Sequence, residues 1–182
     1  MKSAAFEGEY LALLSNLERF LVSLDSHHQS IAFCWPYKDE PDLRKPLLNW
    51  MQSDPKRKLL LPKIRPDRQL DFYTWSALDP LIQNSFGIAE PNSQCAGVLS
   101  ARPDCILIPC VGWSIFNNRL WRLGYGGGYF DRTIAALKKD AQSFKAIGVG
   151  FDWQKLNADD WIPQNHDQPL DDLITNSGTY KT

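Results

Sequence analysis

Apolar side chains at Phe6, Tyr10, Leu13, Leu14, Leu17, Phe20, Leu21 and Leu24 recur at steps of three and four. That spacing puts them on one face of a helix, which the pattern predicts to end near Asp25-Ser26. The period then changes. Ile31-Ala-Phe-Cys-Trp35 is a short run of β-favouring residues closed by Pro36. Asp42 offers an N-cap for a helix over about 43–53, with Leu43, Leu47, Leu48 and Met51 on its inner face. Lys58–Leu61 reads as a second strand, ended by Pro62. Residues 63–76 are polar and aromatic by turns and contain Pro66-Asp67, which fits a hairpin or an exposed strand. Cys105–Cys110 is an uninterrupted apolar run of the kind buried on both faces of a sheet. Ile134, Ala135 and Leu137 mark the inner face of a helix over about 129–139. Ala146–Phe151 is another buried strand, in which Gly148 and Gly150 permit close approach by a neighbour. Leu173-Ile174-Thr175 closes the series as a last strand at the sheet edge.

Helices and strands thus alternate, which predicts an α/β fold: one Rossmann-like domain over residues 1–182, with a mainly parallel central sheet flanked by helices. No internal repeat, low-complexity tract or linker interrupts it. Ligands of such sheets bind outside the carboxyl ends of the strands. The Cys105–Cys110 strand leads toward residues 119–132 and the Ile31–Trp35 strand toward residues 35–40, so two distant blocks are expected at one rim.

Composition narrows the class. The net charge of −1 argues against a general binder of nucleic acid or of membrane surfaces. No signal peptide or spanning run is visible, and the chain reads as cytoplasmic. The four cysteines, Cys34, Cys95, Cys105 and Cys110, lack Cys-x-x-Cys spacing and read as reduced thiols. Any anion site must therefore come from local clustering.

Such a cluster stands at Arg119-Leu-Trp-Arg-Leu-Gly-Tyr-Gly-Gly-Gly-Tyr-Phe-Asp-Arg132. Glycine lets backbone N–H groups turn toward a ligand, and successive N–H groups with guanidinium forks make an anion cradle. Asp131 beside it suits Mg²⁺ shared with phosphate oxygens, and a carboxylate there can also cap the helix that follows. Arg122 suits a bidentate phosphate clamp, or a pairing with a carboxylate. The spacing is neither a Walker loop nor a dinucleotide fingerprint. Trp35 offers a flat apolar wall for a planar ring or a core-packing group. Trp75, Trp113, Trp121, Trp153 and Trp161 read as packing residues.

The stretch Arg122–Arg132 resembles the signature of the 5-formyltetrahydrofolate cyclo-ligase family, also called methenyltetrahydrofolate synthetases. Five further blocks resemble that family in order: Trp35–Leu43, Leu60-Leu61-Pro62, Phe86–Pro91, Asp104–Pro109, and His166–Asp171 with Ile174-Thr175. Together they cover about residues 31–178. The resemblance implies a cytoplasmic ligase of folate-dependent one-carbon metabolism, a monomer acting on a small molecule without nucleic-acid or membrane partners. Its reaction is ATP-dependent cyclisation of 5-formyltetrahydrofolate to 5,10-methenyltetrahydrofolate, with release of ADP and phosphate. The substrate carries its own nucleophile, so no catalytic nucleophile of the protein is implied.

By the same resemblance, Arg122, Leu123, Gly124, Tyr125, Gly126, Gly127, Gly128, Tyr129 and Phe130 bind ATP. Trp35, Glu40, Tyr125 and Tyr129 contact the folate, and Asp131 and Asp167 hold Mg²⁺. His166 reads as structural rather than catalytic. Two departures stand out. The family opens with a helix whose Lys and Arg reach the ATP phosphates, and Met1–Tyr10 has no such pair, Lys2 standing alone near the start and Arg19 lying further along. The Pro109–Phe116 segment is also about three residues longer than the family's, with Leu120 where a turn glycine is expected. Lys38, Lys63 and Arg132 are candidate replacement cations. The missing pair keeps a second reading open: a non-catalytic member that binds nucleotide or folate, or serves a regulatory or interaction role.

Overall fold

The computed structural model describes residues 4–24, 26–139, 144–157 and 159–181. The amphipathic helix α1 (Ala4–Ser23) buries Leu13, Leu17, Phe20 and Leu21 as its spacing requires; Lys2 and the expected helix end at Asp25 lie outside the described residues. Then follow β1 (Ser30–Ala32), α2 (Arg44–Gln52), β2 (Lys58–Ile64), β3 (Leu70–Trp75), β4 (Leu81–Gln83), β5 (Ala89–Pro91) and β6 (Cys105–Pro109). The second half contains β7 (Gly112–Phe116), β8 (Arg119–Leu123), α3 (Tyr129–Lys139), β9 (Lys145–Val149), β10 (Asp172–Ile174) and β11 (Thr179–Lys181).

Seven strands form the central sheet in the order β11-β10-β9-β6-β1-β2-β3. The inner pairings, β10–β9, β9–β6, β6–β1 and β1–β2, are parallel, while β11 and β3 join antiparallel at the two edges. Strand residues alternate between two cores. Leu59, Leu61, Leu107 and Ile147 meet Leu13, Leu17, Leu47 and Trp50 of α1 and α2 on one face. Leu60, Ile106, Ile108 and Ala146 meet Ile134 of α3 and Trp113 and Leu120 of the β7–β8 hairpin on the other. The mainly parallel α/β sheet predicted from the alternation is therefore present. Among the described residues, no helix is long and apolar enough to cross a membrane.

Several local expectations need correction. Asp42 is not the N-cap of α2; that position is Leu43, and Asp42 instead accepts the Arg44 N–H at 3.0 Å and the Arg44 guanidinium. Strand β1 ends at Ala32 rather than Trp35, although the Phe33 N–H still donates to Leu60 O at 3.1 Å. Pro62 does not end β2, and parity explains why. Phe72 and Thr74 turn their backbone groups outward to residues 99–101, so their partners Pro62 and Leu60 face away from β3, toward β1. A proline there breaks the β1–β2 ladder and leaves the β2–β3 ladder intact. The β9 strand stops at Val149, before Phe151. Nor does Leu173-Ile174 lie at the edge, because β11 adds a further antiparallel strand outside it.

Candidate active site

The sheet opens where β1 ends and Pro62 denies β2 its next rung. A cavity of about 690 Å³ lies over the carboxyl ends of β1, β2 and β6, floored by Cys34, Pro62, Ile64 and Pro109. One wall is the segment after β1, with Trp35, Tyr37, Lys38 and Glu40. The facing wall is the glycine loop, residues 122–131. The β4–β5 hairpin contributes Phe86 and Glu90, and the loop before β10 contributes Trp161, His166 and Asp167. Trp35, Glu40, Asp131, Asp167 and residues 122–130, the positions assigned by resemblance to folate, Mg²⁺ and ATP, thus all border one cavity.

The glycine loop is launched by a hairpin, into which the long Pro109–Phe116 segment folds with the residues that follow it. Strands β7 and β8 pair in register from Gly112↔Leu123 to Phe116↔Arg119. Asn117 and Asn118 close them with φ of 50° and 55°, the two left-handed residues of a type I′ turn. Strand β8 carries Arg122 into the interior at 9% exposure. Its guanidinium lies 3.5 Å from Asp131 and 4.9 Å from the centre of the Phe130 ring, and its Nε has no hydrogen-bond partner. A buried donor left open in this way is costly unless a ligand supplies the acceptor. A Cβ at Gly124 would press on the Arg122 guanidinium, so glycine there leaves that side chain its present place. Gly126 and Gly128 adopt φ of 82° and 65°, which L side chains resist. The loop ends on α3, which Thr133 anchors by accepting the Leu70 N–H at 3.0 Å.

Across the cleft, Glu40 is folded inward rather than exposed on its turn. It accepts the Tyr37 N–H at 3.1 Å. Burial raises its carboxyl to about pH 7, against the opposing pull of the Tyr37 N–H and of Arg122. Burial also drives the Cys34 thiol far above its ordinary range, so it stays protonated and inert. None of the four cysteines is bridged. Trp35 does both things read for it: it borders the cavity and packs edge-on against Trp75, with the Arg44 guanidinium 4.4 Å over its ring.

Asp131 sits in the first turn of α3, yet its carboxylate serves neighbours rather than its own helix, accepting the Gln168 N–H at 3.1 Å and facing Arg122. Asp167 accepts the Gln164 N–H at 2.7 Å. Among the described residues, no three His, Cys, Asp or Glu side chains gather as a metal cluster. Two carboxylates on one cavity nonetheless suit Mg²⁺, which takes one or two protein carboxylates and fills its shell with water and phosphate oxygens.

Residues 15–176 match the family model described as the 5-formyltetrahydrofolate cyclo-ligase family. The chain belongs to that family. A relative from Schizosaccharomyces pombe is 32% identical over 127 residues, 65% of this chain and 61% of that one. The 5-formyltetrahydrofolate cyclo-ligase of Haemophilus influenzae is 32% identical over 129 residues, 69% of this chain and 63% of that one. The aligned stretch therefore spans under two thirds of these relatives' length. The solved structure of the 5,10-methenyltetrahydrofolate synthetase of Aquifex aeolicus is similar at 27% identity and a TM-score of 0.64, covering 94% of this chain and 80% of that one.

Within the cyclo-ligase family's pattern, the structure sorts the candidate cations. Lys63 donates to the Ser93 hydroxyl at 2.6 Å and does not border the cavity. Arg132 donates to Arg68 O at 3.2 Å and to Gly127 O, bracing the loop from outside. Lys38 alone of the three borders the cavity. Trp161, read as packing, is half-buried and also borders it, while Trp153 is 63% exposed and stacks on Phe151. Tyr37, Phe86 and Glu90 were not singled out. Phe86 meets Tyr129 edge-on at 6.5 Å. Glu90 accepts the Ile64 N–H at 3.1 Å and the Asn84 amide at 2.8 Å, fastening the β4–β5 hairpin over the cavity. Their positions inside the Trp35–Leu43 and Phe86–Pro91 blocks are the available signal.

Proposed function

We propose that the protein cyclises 5-formyltetrahydrofolate to 5,10-methenyltetrahydrofolate, consuming ATP and releasing ADP and phosphate. One observation carries the reading: the Trp35–Glu40 segment and the glycine loop, distant in sequence, face each other across a single cavity with the buried Arg122 between them. Phosphoryl transfer to the formyl oxygen makes that carbon electrophilic, and the folate's own N10 then displaces phosphate. The protein's part is positioning and charge neutralisation. Trp35 with Tyr125 and Tyr129 would bound the planar rings, and Glu40 would accept hydrogen bonds from pterin N–H groups. Arg122 and the amides of residues 124–129 would hold phosphate oxygens. Asp131 and Asp167 would hold Mg²⁺, whose contribution is to offset phosphate charge.

The test is optical. Methenyl-folate should accumulate from 5-formyltetrahydrofolate and Mg-ATP, and should not accumulate when either is omitted. Folded protein that binds folate but forms no product at any ATP concentration would favour the non-catalytic reading.

A further inference from the structure

Among the described residues, two side chains of Lys or Arg type border the cavity, and of these Arg122 already faces a carboxylate, Asp131 at 3.5 Å. Lys38 does not. Its contacts are aromatic faces: Nζ lies 5.1 Å from the centre of the Tyr37 ring and 5.2 Å from that of Tyr125. Tyr37 belongs to the segment after β1 and Tyr125 to the glycine loop, and the two rings meet edge to face at 6.0 Å. The ammonium therefore rests where the two walls of the cleft touch, at the mouth, where Tyr125 is 59% exposed. Ring faces steady a cation without consuming its hydrogen bonds, so three N–H donors remain available to a ligand. The backbone supports the same reading. Lys38 has a φ of 54°, a left-handed conformation that a lysine rarely adopts and that collects at ligand clamps.

We propose that Lys38 is a rim cation that receives the triphosphate of the nucleotide, across the cleft from the loop amides. Resting on the cyclo-ligase reading for the identity of the anion, this assigns to the folate-side wall a charge that the opening helix of this chain lacks. Among the described residues, four carboxylates border the cavity: Glu40, Glu90, Asp131 and Asp167. A polyanion entering such a site needs an uncommitted positive charge near its cradle, and Lys38 touches the cradle through Tyr125. The folate's glutamate tail is the other anion that this ammonium could meet.

Binding without turnover separates the two. Calorimetry on wild type, Lys38→Met and Lys38→Arg should be run with Mg-ATP alone, and with 5-formyltetrahydrofolate carrying one or three glutamates. Loss of the charge should weaken Mg-ATP by roughly 10- to 100-fold, as expected for a charge-assisted contact. Lys38→Arg should recover most of it, and both folates should bind as to wild type. Unchanged Mg-ATP affinity in Lys38→Met overturns the proposal. So does a loss confined to the folates that grows with the glutamate count, which would assign the cation to the tail. Absence of methenyl product from wild type would overturn the cyclo-ligase activity instead, and leaves the nucleotide isotherms to decide on Lys38.

Discussion

Glu40 and Arg122 are the residues whose environments differ most from what their neighbours in sequence suggest. Glu40 titrates at about 7 in the fold against an ordinary 4.5, chiefly because it is buried. The folded chain thus holds this proton more tightly than the unfolded chain. Its ionisation leaves stability untouched below about pH 4.5 and opposes folding increasingly as pH rises toward 7. Glu40→Gln should therefore gain on wild type over that window, by roughly 1–3 kcal/mol after allowing for partial solvent contact, as read by urea unfolding at several pH values. Folate affinity should show the opposite sense in wild type, improving as pH rises through 7 and the carboxylate forms, and should lose that dependence in the variant. Arg122→Ala should weaken Mg-ATP binding clearly by calorimetry; equal affinities would remove Arg122 from the nucleotide site. It should also destabilise the fold, by about 3 kcal/mol or more, because Asp131 loses its buried partner.

Among the elements, the β7–β8 hairpin decides where the glycine loop begins. Strand β8 alternates in burial from Arg119 to Leu123, and Asn117-Asn118 is a turn signal. Against the family's pattern the segment stands out by its length alone, and extra length carries no information about pairing. Replacing both asparagines by alanine should cost roughly 1–2 kcal/mol, since left-handed φ is unfavourable with a plain Cβ. Asn118→Gly should cost nothing, and both outcomes are readable from urea midpoints. In β9 the close approach expected at Gly148 is present: a Cβ there would lie 2.6 Å from Leu170 Cδ1 and 2.8 Å from Leu173 Cδ1. Gly148→Ala should destabilise by roughly 1–3 kcal/mol through overpacking, with the transition in thermal unfolding moving down accordingly. The apolar runs made the parallel strands legible because strands buried on both faces leave little else to be. What stayed illegible was parity. Whether Pro62 ends a strand, or whether Lys63 reaches the cavity, depends on which way a residue turns within its pairing, and pairing is a property of partners that lie far along the chain.

For the whole molecule, the departures from the family's pattern are uneven. Helix α1 carries a single basic residue, Arg19, where the resemblance leads one to expect a Lys and Arg pair, while the glycine loop, Glu40, Asp131 and Asp167 all border one cavity. Such a pattern should raise the ATP requirement more than it slows chemistry, because phosphoryl transfer leans on charge offset near the transferred group. Steady-state kinetics over a wide ATP range at saturating Mg²⁺ would show this as a high KM with a measurable kcat. A normal KM would mean that other groups fully replace the missing pair. The way the cavity is made has another consequence. To admit ligands, the molecule parts two neighbouring strands, and an unpaired strand margin is ordinarily a template on which a second chain can assemble. Here Pro62 has no N–H to offer, and the next donor along that margin, the Ile64 N–H, is already held by Glu90. The parted seam thus offers a foreign strand no free N–H at Pro62 or Ile64. Glu90→Ala, by freeing that donor, should make the protein more prone to self-association on mild heating, measurable as light scattering, even where its substrates still bind.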